Sequence, residues 1–378
     1  MKERKKIMIK KYGFLLLTVL VWIFALLNGT GLGNVYGTND KFFYILLGVT
    51  ALLLLHDIKN SIQIQTKFLI NGLFLISVFL LSPLLKRGEF FSFEYLYVFM
   101  LVYILSKVKI RKQYIKYTSY VYGALGLAIL YIYSNTSILK GWNENSIAMI
   151  GFFSYAVFCI TFFEELNIIR LLLFLLVSAI YISFVEQTDS RTSTIFIIIC
   201  IIIILKKIKL KNEKNFERVL LFVLNIPLIV AILVVVISDT SLADKLNRWS
   251  LETTLKPIFN GRDKIWLQGF KLLYNDFLLG TGKLLSGYWH NSAVACLTAY
   301  GSLGYLAWIA FFNNILLKGK QYLMDPYVQG SMIGFLVIFA HQSFELGFIA
   351  PNPNLIPYMC LGIFGGRIRC IESGSKYE

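Results

Sequence analysis

Apolar residues in this chain come in long unbroken blocks, such as LLLFLLVSAIYISFV at 171–185 and VLLFVLNIPLIVAILVVVI at 219–237, separated by short polar and often basic connectors. The pattern has neither the period of two of a half-buried strand nor the narrow stripe of a surface helix, and helices that are apolar all round belong in a core or a bilayer. A helix needs roughly 20 apolar residues to cross the hydrocarbon region. Twelve blocks approach that length, at about 13–28, 41–56, 68–85, 90–106, 118–133, 146–163, 168–185, 192–205, 219–238, 292–312, 327–345 and 353–366. The expected fold is therefore an all-α integral membrane protein of about twelve transmembrane helices, a single polytopic domain over 1–378.

Twelve spans place both termini on one side, and the positive-inside rule tests that placement. The connectors assigned to the cytoplasm, 1–12, 57–67, 107–117, 164–170, 206–218, 318–326 and 367–378, carry 25 of the 37 lysines and arginines. Seven of the other twelve fall in one long segment, 239–290, to which a rule for short loops does not apply. The predicted location is the cell membrane, with both termini cytoplasmic and 239–290 as a long extracytoplasmic loop. The basic start MKERKKIMIKK runs into the first block without a small-residue cleavage site before Asn28, so it reads as a first membrane helix and not a removable signal.

Composition agrees: 57% hydrophobic and 15% charged residues, against about 25% charged in soluble domains. The net charge of +16 would point to nucleic acid in a soluble protein. Here the whole excess sits on the cytoplasmic connectors, so nucleic acid is excluded as a partner and contact with membrane lipids is expected. The five cysteines, Cys159, Cys200, Cys296, Cys360 and Cys370, form no CxxC pair and read as small core residues.

The long loop is not a disordered linker by composition. In NGRDKIWLQGFKLLYNDFLLG, Trp266, Phe270, Leu273 and Phe277 recur at spacings of 4, 3 and 4, which predicts a short amphipathic helix, with Asn260 and Asp263 as an N-cap pair. Upstream, SLADKLNRWSLETTL predicts a second short helix opened by Ser241, with Asp244 in its first turn. Both are expected to cover the outer mouth of the bundle.

Three histidines are present, and topology separates His56, at a cytoplasmic end, from His290 and His341 on the outer side, so no three-histidine metal site is expected. His290 closes the loop directly before a span. It is a candidate base or hydrogen-bond donor, with an interfacial cap beside Tyr288 and Trp289 as the structural alternative. His341 lies four residues before Glu345, which predicts that the two share a helical face in the outer half of a span, as a functional pair or an inward-facing structural one. Arg191 opens a span at the outer boundary and Arg262 opens a loop helix. A guanidinium fork suits bidentate binding of a diphosphate, while snorkelling to headgroups is the bland alternative for any boundary arginine. Arg248, beside Trp249, is a lower-ranked phosphate contact. The run GTGK at 280–283 fails as a P-loop: Phe277 stands where the first glycine belongs and no Ser or Thr follows Lys283.

The ordered set SR at a span start, GRDKIW and GTG in a long outer loop, then HN leading into a span with Gly301 eleven residues beyond His290, resembles the bacterial O-antigen ligase and polymerase superfamily. The topology resemblance covers nearly the whole chain and the motif resemblance about 190–305. Where the family tends to show a leucine-rich run after HN, this sequence has SAVACL. The resemblance implies a metal-independent glycosyltransferase without cofactor that acts on undecaprenyl-diphosphate-linked oligosaccharides. Arg191 and Arg262 map onto diphosphate-binding arginines, and His290 maps onto a histidine that activates the acceptor hydroxyl or orients the diphosphate. Asn291 and Trp266 belong to the same motifs and, with Arg248, His341 and Glu345, are carried as substrate-binding candidates. A composition rich in Ile, Lys, Asn and Phe favours a capsule or exopolysaccharide repeat-unit polymerase of the Wzy type, with a flippase and a chain-length regulator as pathway partners. A ligase using the same donor is the second reading. A lipid-linked oligosaccharide flippase is the third, disfavoured because the two halves of the chain show no internal repeat.

Overall fold

The computed structural model describes residues 2–30, 45–46, 48–49, 66–88, 93–136, 139, 142–164, 166–206, 215–254, 256–284, 289–349 and 354–374. Most of the predicted span 41–56, and His56 with it, lies outside them. Among the described residues the regular structure is entirely helical. The helices are α1 (Lys2–Thr30), α2 (Thr66–Arg87), α3 (Phe93–Lys107), α4 (Lys112–Asn135), α5 (Glu144–Cys159), α6 (Ile168–Glu186), α7 (Arg191–Leu205), α8 (Phe216–Ser238), α9 (Ser241–Thr254), α10 (Arg262–Asn275), α11 (Ser292–Leu317), α12 (Pro326–His341) and α13 (Leu355–Glu372). Short 3-10 turns continue α5 over Ile160–Phe163 and α11 over Lys318–Tyr322.

Several helix starts are written locally. The side chains of Asn143, Asn167, Asn291, Asp325 and Asn354 each accept a hydrogen bond from a backbone N–H of the first turn of α5, α6, α11, α12 and α13, satisfying a donor that the helix itself leaves open. Among the described residues five helices are long and apolar enough to cross a bilayer: Ile70–Arg87, Glu144–Phe163, Ile168–Glu186, Phe216–Ser238 and Ser292–Tyr322. Four more, at Tyr12–Asn28, Tyr97–Lys107, Arg191–Leu205 and Pro326–His341, are apolar but shorter. These are the elements of a helical membrane protein.

Burial sorts them. α5, α11, α12 and α13 form the centre, where Phe312 packs against Trp308, Phe335, Phe339, Phe348 and Tyr358. α6 and α8 lie outside and turn leucine, isoleucine and valine outward: Ile169 is 73% exposed and Val236 66%. Apolar side chains presented so continuously are suited to hydrocarbon and not to water. All five cysteines are buried and none is in a disulfide.

The two ends of the bundle carry different polar clusters. At one, Asp325, the cap of α12, also accepts from the buried Arg367 of α13, Nη2 to Oδ2 at 2.6 Å, and Glu164 pairs with Lys116 at 2.8 Å. At the other, Tyr133 of α4 donates to Glu144 of α5 at 2.8 Å, and the segments around α9 and α10 cover the helix ends.

α11 is broken at Gly301, whose φ of 69° and ψ of −171° are not helical. The break strips Ser302 and Leu303 N–H groups from the carbonyls of Thr298 and Ala299, their helical partners. The stretch 277–282 replaces both sides: Ser302 and Leu303 donate to the carbonyls of Phe277 and Leu278, while Thr281 and Gly282 donate to those of Thr298 and Ala299, at 2.8–3.2 Å. The GTG run is thus the plug of a broken helix, and its backbone pairing satisfies groups that cannot be left open in a buried site.

Candidate functional site

The site gathers at the end of the bundle covered by α9 and α10, and three turns build it. In the first, Trp289-His290-Asn291, the outer two residues are buried and the middle one is not. Asn291 caps α11 through the N–H groups of Ala293 and Val294, and its amide donates to the carbonyls of Pro227 and Ser343, each at 2.9 Å. The Trp289 carbonyl accepts from Trp266 Nε1 at 2.5 Å. Fixed on both sides, His290 is held at a φ of 46°, an uncommon conformation for a residue with a Cβ, and its ring stays 36% exposed.

The second turn precedes α10. Asn260 (φ 49°) and Gly261 (φ 78°) are both left-handed, and Gly261, not Asn260, occupies the cap position, with no side-chain capping bond. The expected pairing of Asn260 with Asp263 is therefore not formed. Two left-handed residues in succession swing the chain so that Arg262, the first residue of α10, points inward. The third turn, Thr188 to Ser190, starts α7 at Arg191. Arg191 donates to Ser250 Oγ at 3.2 Å and the Pro257 carbonyl at 3.3 Å, tying α7 to the segment between α9 and α10. Ser250 in turn donates to the Lys256 carbonyl at 2.7 Å.

Between these turns lies a cavity of about 150 Å³, with Glu144, Asp189, Arg191, Lys256, Arg262 and Glu345 in its wall. Glu144, Arg191 and Arg262 are the first residues of α5, α7 and α10, so three helix N-termini, each with its partial positive charge, open on the same space. Lys256 pairs with Asp189 and Arg262 with Glu345, the latter at 3.5 Å between Nη2 and Oε1. Burial pushes the Arg262 guanidinium below its ordinary range; Glu345 opposes that shift and the like charge of Arg191 adds to it. Two guanidiniums at the positive ends of helices can bind an anion, in a wall where Glu144, Asp189 and Glu345 offset the charges of Arg191, Lys256 and Arg262. Among the described residues no group of three or more His, Cys, Asp or Glu is placed to hold a metal ion.

The sequence candidates divide. Arg191, Arg262 and Glu345 share the cavity wall. His290 stands on the far side of Glu345, with Nδ1 3.9 Å from Oε2, so the carboxylate lies between the histidine and Arg262. Trp266 and Asn291 are fully buried beneath the site. Trp266 packs on Phe344, over whose ring the Arg262 guanidinium sits at 5.6 Å, so both reach the cavity through the residues they support. Arg248 is on the exposed side of α9 and is not in the wall.

His341 does not share a helical face with Glu345, because α12 ends at His341. The Gln342 side chain ends it by accepting from the N–H groups of Gly347 and Phe348 at 2.5 and 3.2 Å, folding 342–348 into a turn. That turn carries Glu345 across to Arg262. His341 stays buried behind it, stacked on Phe152 at 4.6 Å and hydrogen-bonded to Ser193 at 3.3 Å.

Lys256, Asp189 and Glu144 also line the wall and were not singled out by sequence. Asp189 had a signal in its place two residues before Arg191, and it too is left-handed (φ 60°). Lys256, one of seven basic residues in a long loop, had none. A scan against protein-family models finds no match for this chain, and a search of curated proteins finds no relative.

Proposed function

We propose that the protein is a membrane glycosyltransferase that polymerises undecaprenyl-diphosphate-linked oligosaccharide repeat units at the outer face of the cell membrane. In this reading the chain has twelve spans, with both termini cytoplasmic and 239–290 outside. The observation that carries the proposal is the pairing of Arg191 and Arg262 at helix N-termini around one cavity, an arrangement suited to a diphosphate, together with a half-exposed histidine one carboxylate away.

A sugar joined to a lipid diphosphate is already activated, so the site must hold the leaving group, position an acceptor hydroxyl and take its proton. Arg191 and Arg262 bind the diphosphate oxygens and stabilise the charge that grows there as the bond breaks. The acceptor oxygen attacks C1 of the donor sugar. The new C1–O bond forms as the bond from C1 to the phosphate oxygen breaks, and its electron pair leaves with the lipid diphosphate. The acceptor proton passes to His290. No metal or nucleotide is needed. A single displacement inverts C1, so a new linkage of retained configuration would contradict this mechanism.

The test compares surface glycan in cells whose only copy is wild type, Arg262→Ala or His290→Ala, at equal membrane levels. The expected result is single repeat units accumulating on the lipid carrier at the outer face in both variants. Normal-length chains left on the carrier would make the protein a ligase, repeat units held on the inner face would make it a flippase, and unchanged glycan would remove this site from consideration.

A further inference from the structure

The Glu345 carboxylate, 9% exposed, is divided between a guanidinium and an imidazole. One oxygen is 3.5 Å from Arg262 Nη2 and the other 3.9 Å from His290 Nδ1. Both contacts are longer than the roughly 2.7–2.9 Å of a settled charge-assisted hydrogen bond, so the carboxylate has closed on neither. Its backbone, by contrast, is fixed: Gln342 holds the N–H groups of Gly347 and Phe348, Asn291 holds the Ser343 carbonyl, and Ser292 Oγ donates to the Glu345 carbonyl at 3.4 Å. The carboxylate thus stands on a fixed turn between Arg262 and His290, within about 1 Å of a close contact with either. The other charged or titratable groups around this point are Arg191 of α7, Asp189 before it, Lys256, Glu144 of α5 and the buried His341 of α12.

We infer that Glu345 is a positioning residue that competes with the donor diphosphate for Arg262 and, once displaced, closes on His290 Nδ1–H. This deepens the diphosphate reading above and rests on it. In the empty site Glu345 neutralises Arg262, which lowers the cost of holding that guanidinium beside Arg191. An arriving diphosphate supplies two or more charges to both arginines and outcompetes a single carboxylate. The released carboxylate then orients the imidazole with Nε2 free and stabilises the imidazolium formed when the acceptor proton is taken. Acceptor activation in this way follows donor binding.

Competition and positioning predict opposite effects of one isosteric change. Inorganic pyrophosphate is titrated against the full-length protein in detergent, and transfer is followed separately with lipid-linked donor. Glu345→Gln is expected to bind pyrophosphate roughly fivefold more tightly than wild type, because the competing charge is gone. The same variant is expected to turn over roughly a hundredfold more slowly, because His290 loses its orienter. A residue that merely supported the fold would weaken both.

Adding His290→Gln to Glu345→Gln should slow transfer no further than either change alone, since the two act as one unit. Weaker or unchanged pyrophosphate binding in Glu345→Gln overturns the competition, and undiminished or additive effects on turnover overturn the positioning. If wild type itself bound no pyrophosphate, the diphosphate reading would fall, and this inference with it.

Discussion

Gly280 and Gly301 meet backbone to backbone: a Cβ built on Gly280 would stand 2.5 Å from the Gly301 nitrogen, and one on Gly301 would run into the Leu278 carbonyl. Both are left-handed, at φ 68° and 69°. The end of the α10 segment therefore enters the break in α11, and Ser82 of α2 closes the junction by donating to the carbonyls of Leu279 and Ala299 at 2.5 and 3.0 Å.

Gly301→Ala and Gly280→Ala are each expected to unseat this plug, at a cost of about 1–3 kcal/mol from overpacking together with left-handed strain. Thermal unfolding in detergent reads the loss, and limited proteolysis should show new cleavage between Asn275 and Leu284. Because the same segment anchors α10, transfer should fall with stability in both variants. A variant that kept both would mean the contact is incidental.

Asn291 and His290 are neighbours with opposite expected phenotypes. Asn291→Ala leaves two N–H groups and two carbonyls without their side-chain partner in a buried place, and should destabilise the protein by about 1–3 kcal/mol. His290→Gly suits the left-handed backbone better than the native residue, so its thermal midpoint should equal or exceed that of wild type while transfer falls by roughly 10²-fold or more. Parallel melting and transfer assays separate the two. An active His290→Gly would end the case for the imidazole.

At the opposite end of the bundle, burial pushes the Glu164 carboxyl up, but the hydrogen bond and charge of Lys116 and the charge of Arg170, 3.6 Å away, outweigh it and hold the group below its ordinary value. A carboxyl held down in the folded state gives stability that is present above its unfolded value and lost as the pH falls through the folded one. Wild type should therefore melt above Glu164→Gln at pH 7, by the equivalent of about 1 kcal/mol or less for pairs this exposed. That gap should close below about pH 4. A gap that survived strong acid would assign the difference to packing.

Arg191, Arg262 and His290 were legible because each follows a local signal: a serine before an apolar block, a glycine before an amphipathic stripe, the last polar pair before a span. Lys256 had no such signal, and its place is fixed by the fold of the segment that Ser250 and Asn247 hold, the latter accepting from the Ile258 N–H at 2.9 Å. Asn291 and Trp266 looked like contacts for substrate because polar and aromatic residues in a motif read alike whether they face a cavity or support it. The stripe Trp266, Phe270, Leu273 and Phe277 predicted α10, but the helix ends at Asn275 and leaves Phe277 exposed beyond it; periodicity is also blind to which capping residue turns the chain, and Gly261 was passed over for Asn260.

By itself the sequence determined the helical class and the places where most of the described helices start and stop. Those properties depend on hydrophobic block length and on caps within a few residues, and a linear pattern carries them. Tertiary structure alone decided that Glu345 leaves the helical face of His341 to stand between Arg262 and His290, that three helix N-termini open on one cavity, and that the GTG run completes a broken helix. Each of these is a contact between segments far apart in the chain, set by which backbone groups the packed bundle leaves open and which side chains can reach them, and neither condition exists until the helices have assembled.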